Sequence, residues 1–459
     1  MTLFGIAWRS IRQRLLTSGL TALSLALGVA LVVATLVIAG VVREAFNSGS
    51  GLGYNVIVGA KGSPLQLVLN SVYLISKPIE NVPWGVYEEF LPAAERADGR
   101  AGSFAGSVRT AVPICMGDYF RGFRVVGTNA AYFDRLSHGA SAGPSGVWRL
   151  IRRIIPRTAV ARAGPRPFTF GEGRNFRDDE FFGGVLGCTV AQTLGLAVGD
   201  TFAPTHGADD GPVHDPFTVT GILARTDTPV DRGVYVNMEG FFLQDGHAKP
   251  VVGAVADAPP AEAGTAVRPL PTDQREVTAI LLETASLPGL PAELTAMGLR
   301  SAINEGRDAQ AAEPVREISV LLQLFVRPLE LLLLLVTILV VVVSAIGILV
   351  SMVGSSLERS RDVAVMRALG ARRSHVLAVV LLEATLLAVG GGLAGWLLGH
   401  GIVAAIGPLI TTNAGVSVGF FSVAPAAELL VVPCLIALAV MAALLPALAA
   451  YRTDVAKWL

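Results

Sequence analysis

Charge is scarce in this sequence. Only 16% of its 459 residues are Asp, Glu, Lys or Arg, against the ~25% usual in soluble domains. The 36 basic residues are balanced by 36 acidic ones, so a strongly basic nucleic-acid-binding surface is excluded. Cysteine is nearly absent: Cys115, Cys188 and Cys434 are too few for a disulfide scaffold or a cysteine-rich zinc module. Catalytic signatures are missing too. The chain contains no G-x-x-x-x-G-K-[ST] loop, H-E-x-x-H or C-x-x-C, which counts against a membrane-bound enzyme. What the chain does have is apolar residues, 52% by the AVILMFWYC count. That level rules out disorder, which needs low hydrophobicity and high net charge.

The apolar residues are concentrated in four runs. Leu20 to Val42 carries no charge and exceeds the ~20 residues that cross a bilayer core. It is also longer than the ~7–15-residue apolar run of a cleavable signal peptide, so an uncleaved helix is expected. Leu331–Val353, Val376 to about Ile406, and Leu429–Ala450 are the other three. Lys and Arg in short flanks set orientation. Arg9, Arg12 and Arg14 precede the first run, and Arg359, Arg361, Arg367, Arg372 and Arg373 separate the second from the third. Arg452 and Lys457 follow the fourth, while Pro408–Glu428 has no basic residue. Both termini are therefore expected in the cytoplasm and the long segment after the first run outside it.

That segment is too long for a loop and must fold. Tyr54–Val58 reads as a strand, followed by a turn at Gly59–Ser63 and a helix from Leu65. The turn does not have the layout of a phosphate cradle. Gly184–Cys188, Phe217–Leu223, Gly233–Val236 and Thr278–Glu283 read as further strands, with a short helix at Thr189–Leu194. His206–Asp215 offers imidazoles and carboxylates of the kind that bind metals, but it reads as a solvated hairpin tip, and no metal site is expected. Trp148–Arg166 holds six arginines and no acid and reads as an exposed insertion, with lipid-headgroup binding the alternative. Cys115 and Cys188 fall on the outer side, where nothing in their spacing fixes whether they pair. Cys434 is a small packing residue in the fourth run. From Pro314 to Phe325 the pattern turns helical towards the second run, with Pro328 able to kink it.

The most informative stretch is Glu358-Arg359-Ser360-Arg361-Asp362-Val363-Ala364-Val365-Met366-Arg367-Ala368-Leu369-Gly370-Ala371. Val363, Met366 and Leu369 recur at helical spacing beside Arg359, Asp362 and Arg367, with Gly370 as a helix stop. It resembles the cytoplasmic motif of the MacB/FtsX/LolC-LolE-like ABC transporter permeases, roughly E-R-x-R-E-I-A-x-x-R-A-L-G-A, with Asp362 in place of Glu. In that family the motif forms the coupling helix. Gly195-Leu196-Ala197-Val198-Gly199-Asp200 resembles the family's L-G-L-x-x-G-D periplasmic signature, and Leu445-Pro446-Ala447 with Arg452 resembles the end of its fourth span. The Arg-rich insertion and Tyr54–Leu69 lie outside this shared pattern.

The resemblance implies four transmembrane α-helices with a large extracytoplasmic α+β domain inserted between helices 1 and 2. Residues 1–45 would hold the cytoplasmic flank and first helix. Residues 46–313 would form the extracytoplasmic core domain. Residues 314–459 would carry the stalk and helices 2–4, with a coupling loop at 354–375. The chain would be the non-catalytic permease of a mechanotransmitting transporter in the cell inner membrane. Its partners would be a cytoplasmic ABC ATPase dimer, a second permease subunit, alike or different, and in some members a periplasmic adaptor or lipoprotein. No cofactor is expected in this chain, since ATP and Mg would sit on the ATPase. The chain starts close to its first span without a Walker A loop, so that ATPase is expected to be a separate polypeptide. Export or extraction of lipoproteins, peptides, lipids or drugs is the implied activity. The alternative is an FtsX-like regulator of a cell-wall hydrolase, transporting nothing.

Two features inside the apolar runs stand apart. Glu383 is an intramembrane carboxylate, costly when ionised, for which pairing with a nearby arginine or a relay role are the two readings. Gly391, Gly395 and Gly399 repeat every fourth residue, a spacing that lets helices approach closely within a subunit or across a dimer.

Overall fold

A computed structural model describes residues 2–50, 52–139, 165–247, 269–358 and 371–414, with isolated positions at 437, 440, 441 and 444. The chain divides into two units, Met1–Arg43 with Gln323–Thr411 and Ser417–Leu459, and Glu44–Leu322 with Thr412–Val416. In chain order the principal helices begin with α1 (Leu3–Gln13), α2 (Leu15–Ser50), α3 (Pro64–Ser71), α4 (Cys188–Leu194) and α5 (Met238–Phe242). They continue with α6 (Ala292–Glu305), α7 (Pro314–Leu321), α8 (Arg327–Glu358) and α9 (Arg373–Ala414).

Three stretches among the described residues are long and apolar enough to cross a membrane: Leu15–Val41, Pro314–Val340 and Arg373–Pro408. The expected fourth span, Leu429–Ala450 with Cys434, lies outside the described residues apart from isolated positions. A π turn at Leu322–Val326 separates α7 from α8. Pro328 follows in the first turn of α8, where its missing N–H costs least. Pro408 stands inside α9, which continues to Ala414 rather than ending near Ile406. Proline removes one helical hydrogen bond, which a membrane helix tolerates when its neighbours compensate.

The second unit is built on an eleven-stranded mixed sheet. Its strands are β1 (Val56–Gly59), β2 (Val108–Phe120), β3 (Phe123–Thr128), β4 (Phe170–Gly173), β5 (Gly183–Leu186) and β6 (Thr201–Phe202). They continue with β7 (Thr205–His206), β8 (Phe217–Leu223), β9 (Val234–Asn237), β10 (Ala279–Thr284) and β11 (Gln310–Ala312). The spatial order is β11-β1-β10-β2-β3-β9-β5-β8-β4, with β7 beside β2 and β6 beside β8. β9 runs parallel to β3 and β8 parallel to β5, while the remaining pairs are antiparallel.

Both faces of the sheet are covered. Val56 and Val58 join one apolar cluster with Ile280 and Leu282, while Ile57 joins another with Leu281 and Val112. That is why these strands read as unbroken apolar runs rather than alternating ones. Local signals position the helices. Ser63 Oγ accepts from the Gln66 N–H to cap α3, whose first residue is Pro64. Gly195 ends α4 at φ 67°, a left-handed conformation that suits glycine. Cys115 and Cys188 are both buried and unpaired, and burial pushes the Cys188 thiol up to about 11.

Candidate functional site

The three glycines of α9 face α2. A side chain at Gly391 would meet the Ala22 carbonyl at 2.9 Å, one at Gly395 the Ala26 carbonyl at 2.4 Å, and one at Gly399 Val33 Cβ at 2.8 Å. The stripe therefore packs within one subunit, backbone against backbone, as small residues permit. On α2 the inward residues include Leu25, Ala26, Val29, Ala30 and Val33, all buried, while Leu20, Leu23, Leu27 and Leu31 are exposed. Glu383 is buried in α9, and Ser10 Oγ of α1 donates to its Oε2 at 3.2 Å. No spacing in the sequence pointed to the N-terminal helix as a partner. Of the coupling motif, Glu358 is the last residue of α8. Arg359, Arg361, Asp362, Val363, Met366, Arg367, Leu369 and Gly370 lie outside the described residues, as does nearly all of the Arg-rich insertion.

The outer unit brings together a constellation that sequence reading missed. β2 breaks register against β3 between Met116 and Tyr119, and a bulge of this kind re-aims a side chain. Asp118 sits in the bulge, with His206 of β7 directly across from it. The chain then turns back. The His206 N–H donates to the Pro212 carbonyl and the His214 N–H to the Pro204 carbonyl. Gly211 makes this turn possible, because a side chain there would meet the His206 carbonyl at 2.0 Å. The fourth member, His247, follows α5. Gln244 donates to the Gly240 carbonyl and accepts from the Asp215 N–H at 2.8 Å, tying α5 to the hairpin. Asp118 and His214 are buried, His247 is partly so, and His206 faces solvent. Burial lowers the pKa of His214, and Asp118 opposes that shift.

Elsewhere in this unit, Asp231 is buried and accepts from the N–H groups of Thr226 and Asp227. Lys61, in the glycine-rich turn, donates to the Asn304 carbonyl at 3.0 Å, which makes the turn a structural element.

Comparison with known families supplies the wider frame. Residues 18–270 match the MacB-like periplasmic core domain, and residues 334–455 match the FtsX-like permease C-terminal domain. The chain belongs to the MacB/FtsX-like ABC transporter permease family. A search of curated proteins gives no match. As a MacB/FtsX-like permease it is a membrane protein whose long apolar helices fit insertion in a bilayer and whose large mixed α+β unit is extramembrane. Membership is consistent with a non-catalytic permease subunit, and it implies partnership with an ATPase.

Proposed function

We propose that this chain is the permease subunit of an ABC transporter in which a separate cytoplasmic ATPase drives movement of the extracytoplasmic domain. Export or extraction of lipoproteins, peptides, lipids or drugs is the activity this reading favours. Four spans, cytoplasmic termini and pairing with a second permease subunit belong to the same reading. The observation that carries it is the order of matched regions: a MacB-like periplasmic core domain ahead of an FtsX-like permease domain in one chain. Between the second and third apolar runs lies the Glu358–Gly370 motif, whose place and composition suit docking on an ATPase.

In this reading Val363, Met366 and Leu369 enter a groove of the ATPase while Arg359, Arg361, Asp362 and Arg367 set the register. Met366 is long and polarizable enough to fill an irregular pocket. The test is recovery of an ABC ATPase with tagged full-length chain from its native membranes, at matched expression. Met366→Asp would place an unpaired carboxylate in the groove at roughly 2–7 kcal/mol or more, which predicts at least a tenfold loss of ATPase recovery. Undiminished recovery with Met366→Asp and with Arg367→Glu would remove this helix as the docking element. The reading of this stretch as a helix resting on the membrane surface would then stand.

A further inference from the structure

We infer that Asp118, His206, His214 and His247 form a structural zinc site in the outer unit. Their ligand atoms all lie within 4.8 Å of one another. His206 Nδ1 stands 3.3 Å and His247 Nε2 3.2 Å from Asp118 Oδ1, while His214 Nε2 is 3.4 Å from Asp118 Oδ2. His206 Nδ1 and His247 Nε2 are 3.1 Å apart. A tetrahedral ion with bonds of ~2.0–2.2 Å sets its ligands about 3.3–3.6 Å from one another. The three separations among Asp118 Oδ1, His206 Nδ1 and His247 Nε2 match three of the six edges of such a tetrahedron to within a few tenths of an ångström. His214 approaches the other Asp118 oxygen, and spacings of up to 4.8 Å must contract around the ion.

The chemistry of the individual groups points the same way. Asp118 is fully buried, yet neither of its carboxylate oxygens accepts a hydrogen bond among the described residues, and His214 Nε2 has no hydrogen-bond partner either. A buried carboxylate without donors is costly unless it is paired or ligates a cation. His247 Nδ1 lies 2.7 Å from the Phe241 carbonyl. A carbonyl only accepts, so Nδ1 carries the proton and Nε2 presents a lone pair to the cluster. This carbonyl-anchored imidazole is the usual support of a metal-ligating histidine. Three imidazoles and one carboxylate, with no thiolate, suit zinc. Four protein ligands fill a tetrahedral shell and leave no position for substrate, so the site is structural rather than catalytic. It would join the bulge in β2, the hairpin after β7 and the segment leaving α5, three pieces of chain distant in sequence. None of this depends on the identity of the transported substrate or on ATPase docking.

The test uses full-length chain purified in detergent, stripped with EDTA and dialysed. Zinc chloride is titrated in against a chromogenic chelator, and cobalt(II) is substituted as a spectroscopic reporter. One equivalent of zinc per chain is expected, with intense visible d–d bands of tetrahedral cobalt. Asp118→Asn and His214→Ala should weaken binding beyond the ~10–100-fold that changes around a metal site's outer shell cost. His206→Ala, whose side chain is at the surface, should do the same while leaving the circular dichroism spectrum of the chain intact. Glu172→Gln, an exposed carboxylate in the same unit, should bind as wild type. Binding below one equivalent by the wild type would overturn the proposal, leaving the cluster a set of hydrogen-bonded histidines. So would an octahedral cobalt spectrum, or wild-type affinity in His206→Ala.

Discussion

In the outer unit the largest side chains are the ones hidden: Tyr235, Phe217, Phe242 and Leu281 are fully buried between the sheet and its covering layers. On α2 of the membrane unit the sorting is reversed. Leu25, Ala26, Val29, Ala30 and Val33 are buried while Leu20, Leu23, Leu27 and Leu31 of the same helix are exposed. The difference lies in the solvent each surface meets. Water drives bulky apolar groups inward by ~25 cal/mol per Å² buried, whereas lipid is as apolar as leucine and rewards only close backbone packing. The polar groups follow the same division. In the outer unit the buried Arg275 guanidinium donates to the Glu239 carboxylate, and in α9 the buried carboxylate Glu383 accepts from a hydroxyl of α1.

The sharpest way to separate the two units is to break a buried charge pair in the outer one. Arg275 donates from both terminal nitrogens to Glu239, at 2.9 Å each, and its guanidinium lies 5.1 Å from the Trp84 ring centre. Arg275→Ala would strand Glu239 and is expected to cost about 3–5 kcal/mol. Chemical denaturation of the full chain should then show the outer unit melting earlier, by near-ultraviolet dichroism, while the helical signal of the membrane unit holds. Simultaneous loss of both signals would show that the units unfold as one and would remove the comparison.

A smaller effect is expected from the glycine stripe. Gly395→Ala puts a methyl group 2.4 Å from the Ala26 carbonyl and 2.6 Å from Val29 Cβ. Both belong to α2, so the helices must separate. Overpacking of this kind costs about 1–3 kcal/mol. Gly392→Ala, one residue from the stripe with nothing nearby, should stay within ~0.5 kcal/mol of wild type. Thermal stability in detergent distinguishes them, and equal behaviour would mean that α9 does not depend on this contact.

Much of the outer fold could be read because its signals are local. The Phe217–Leu223 strand has its expected bounds, and Gly195 ends α4 by the chemistry of a left-handed cap. β2 could not be read in the same way. Pro113 and Gly117 look like strand breakers, yet Pro113 sits inside the sheet opposite Ile280, and its carbonyl accepts from Thr128 Oγ1 at 2.9 Å. Tertiary pairing outweighs the local penalty there. The Asp118 cluster was hidden for a related reason. His206 and His214 are visible as a run, but a hairpin tip is their plain reading until β2 and the end of α5 supply Asp118 and His247. No local pattern in the sequence encodes that meeting. The glycine stripe was legible as a packing face, and only the three-dimensional arrangement identified α2 as its partner.

The last and smallest expected effect tests how far the outer unit's surface charges matter beside its buried ones. Glu180 accepts from Arg174 Nη1 at 2.8 Å and from the Arg177 N–H at 2.9 Å. The Arg174 hydrogen bond is the largest cause holding its pKa down, to about 2 from the ordinary 4.5. A carboxyl with a depressed folded-state pKa adds stability that is fully present above its unfolded value. That contribution is lost as pH falls from about 4.5 towards about 2. Both side chains of the pair keep contact with water, 56% for Arg174 and 23% for Glu180, so solvent screening keeps the effect small. Glu180→Gln removes the titrating group while keeping an acceptor for Arg174. Its stability should therefore vary less with pH across that window than the wild type's, and the two should run parallel above pH 5. An unchanged acid slope in the variant would assign the unit's acid sensitivity to other carboxyls held below their ordinary pKa, such as Glu89, lowered by its hydrogen bonds from Ser103; Asp231, whose pKa burial raises, pulls the slope the other way.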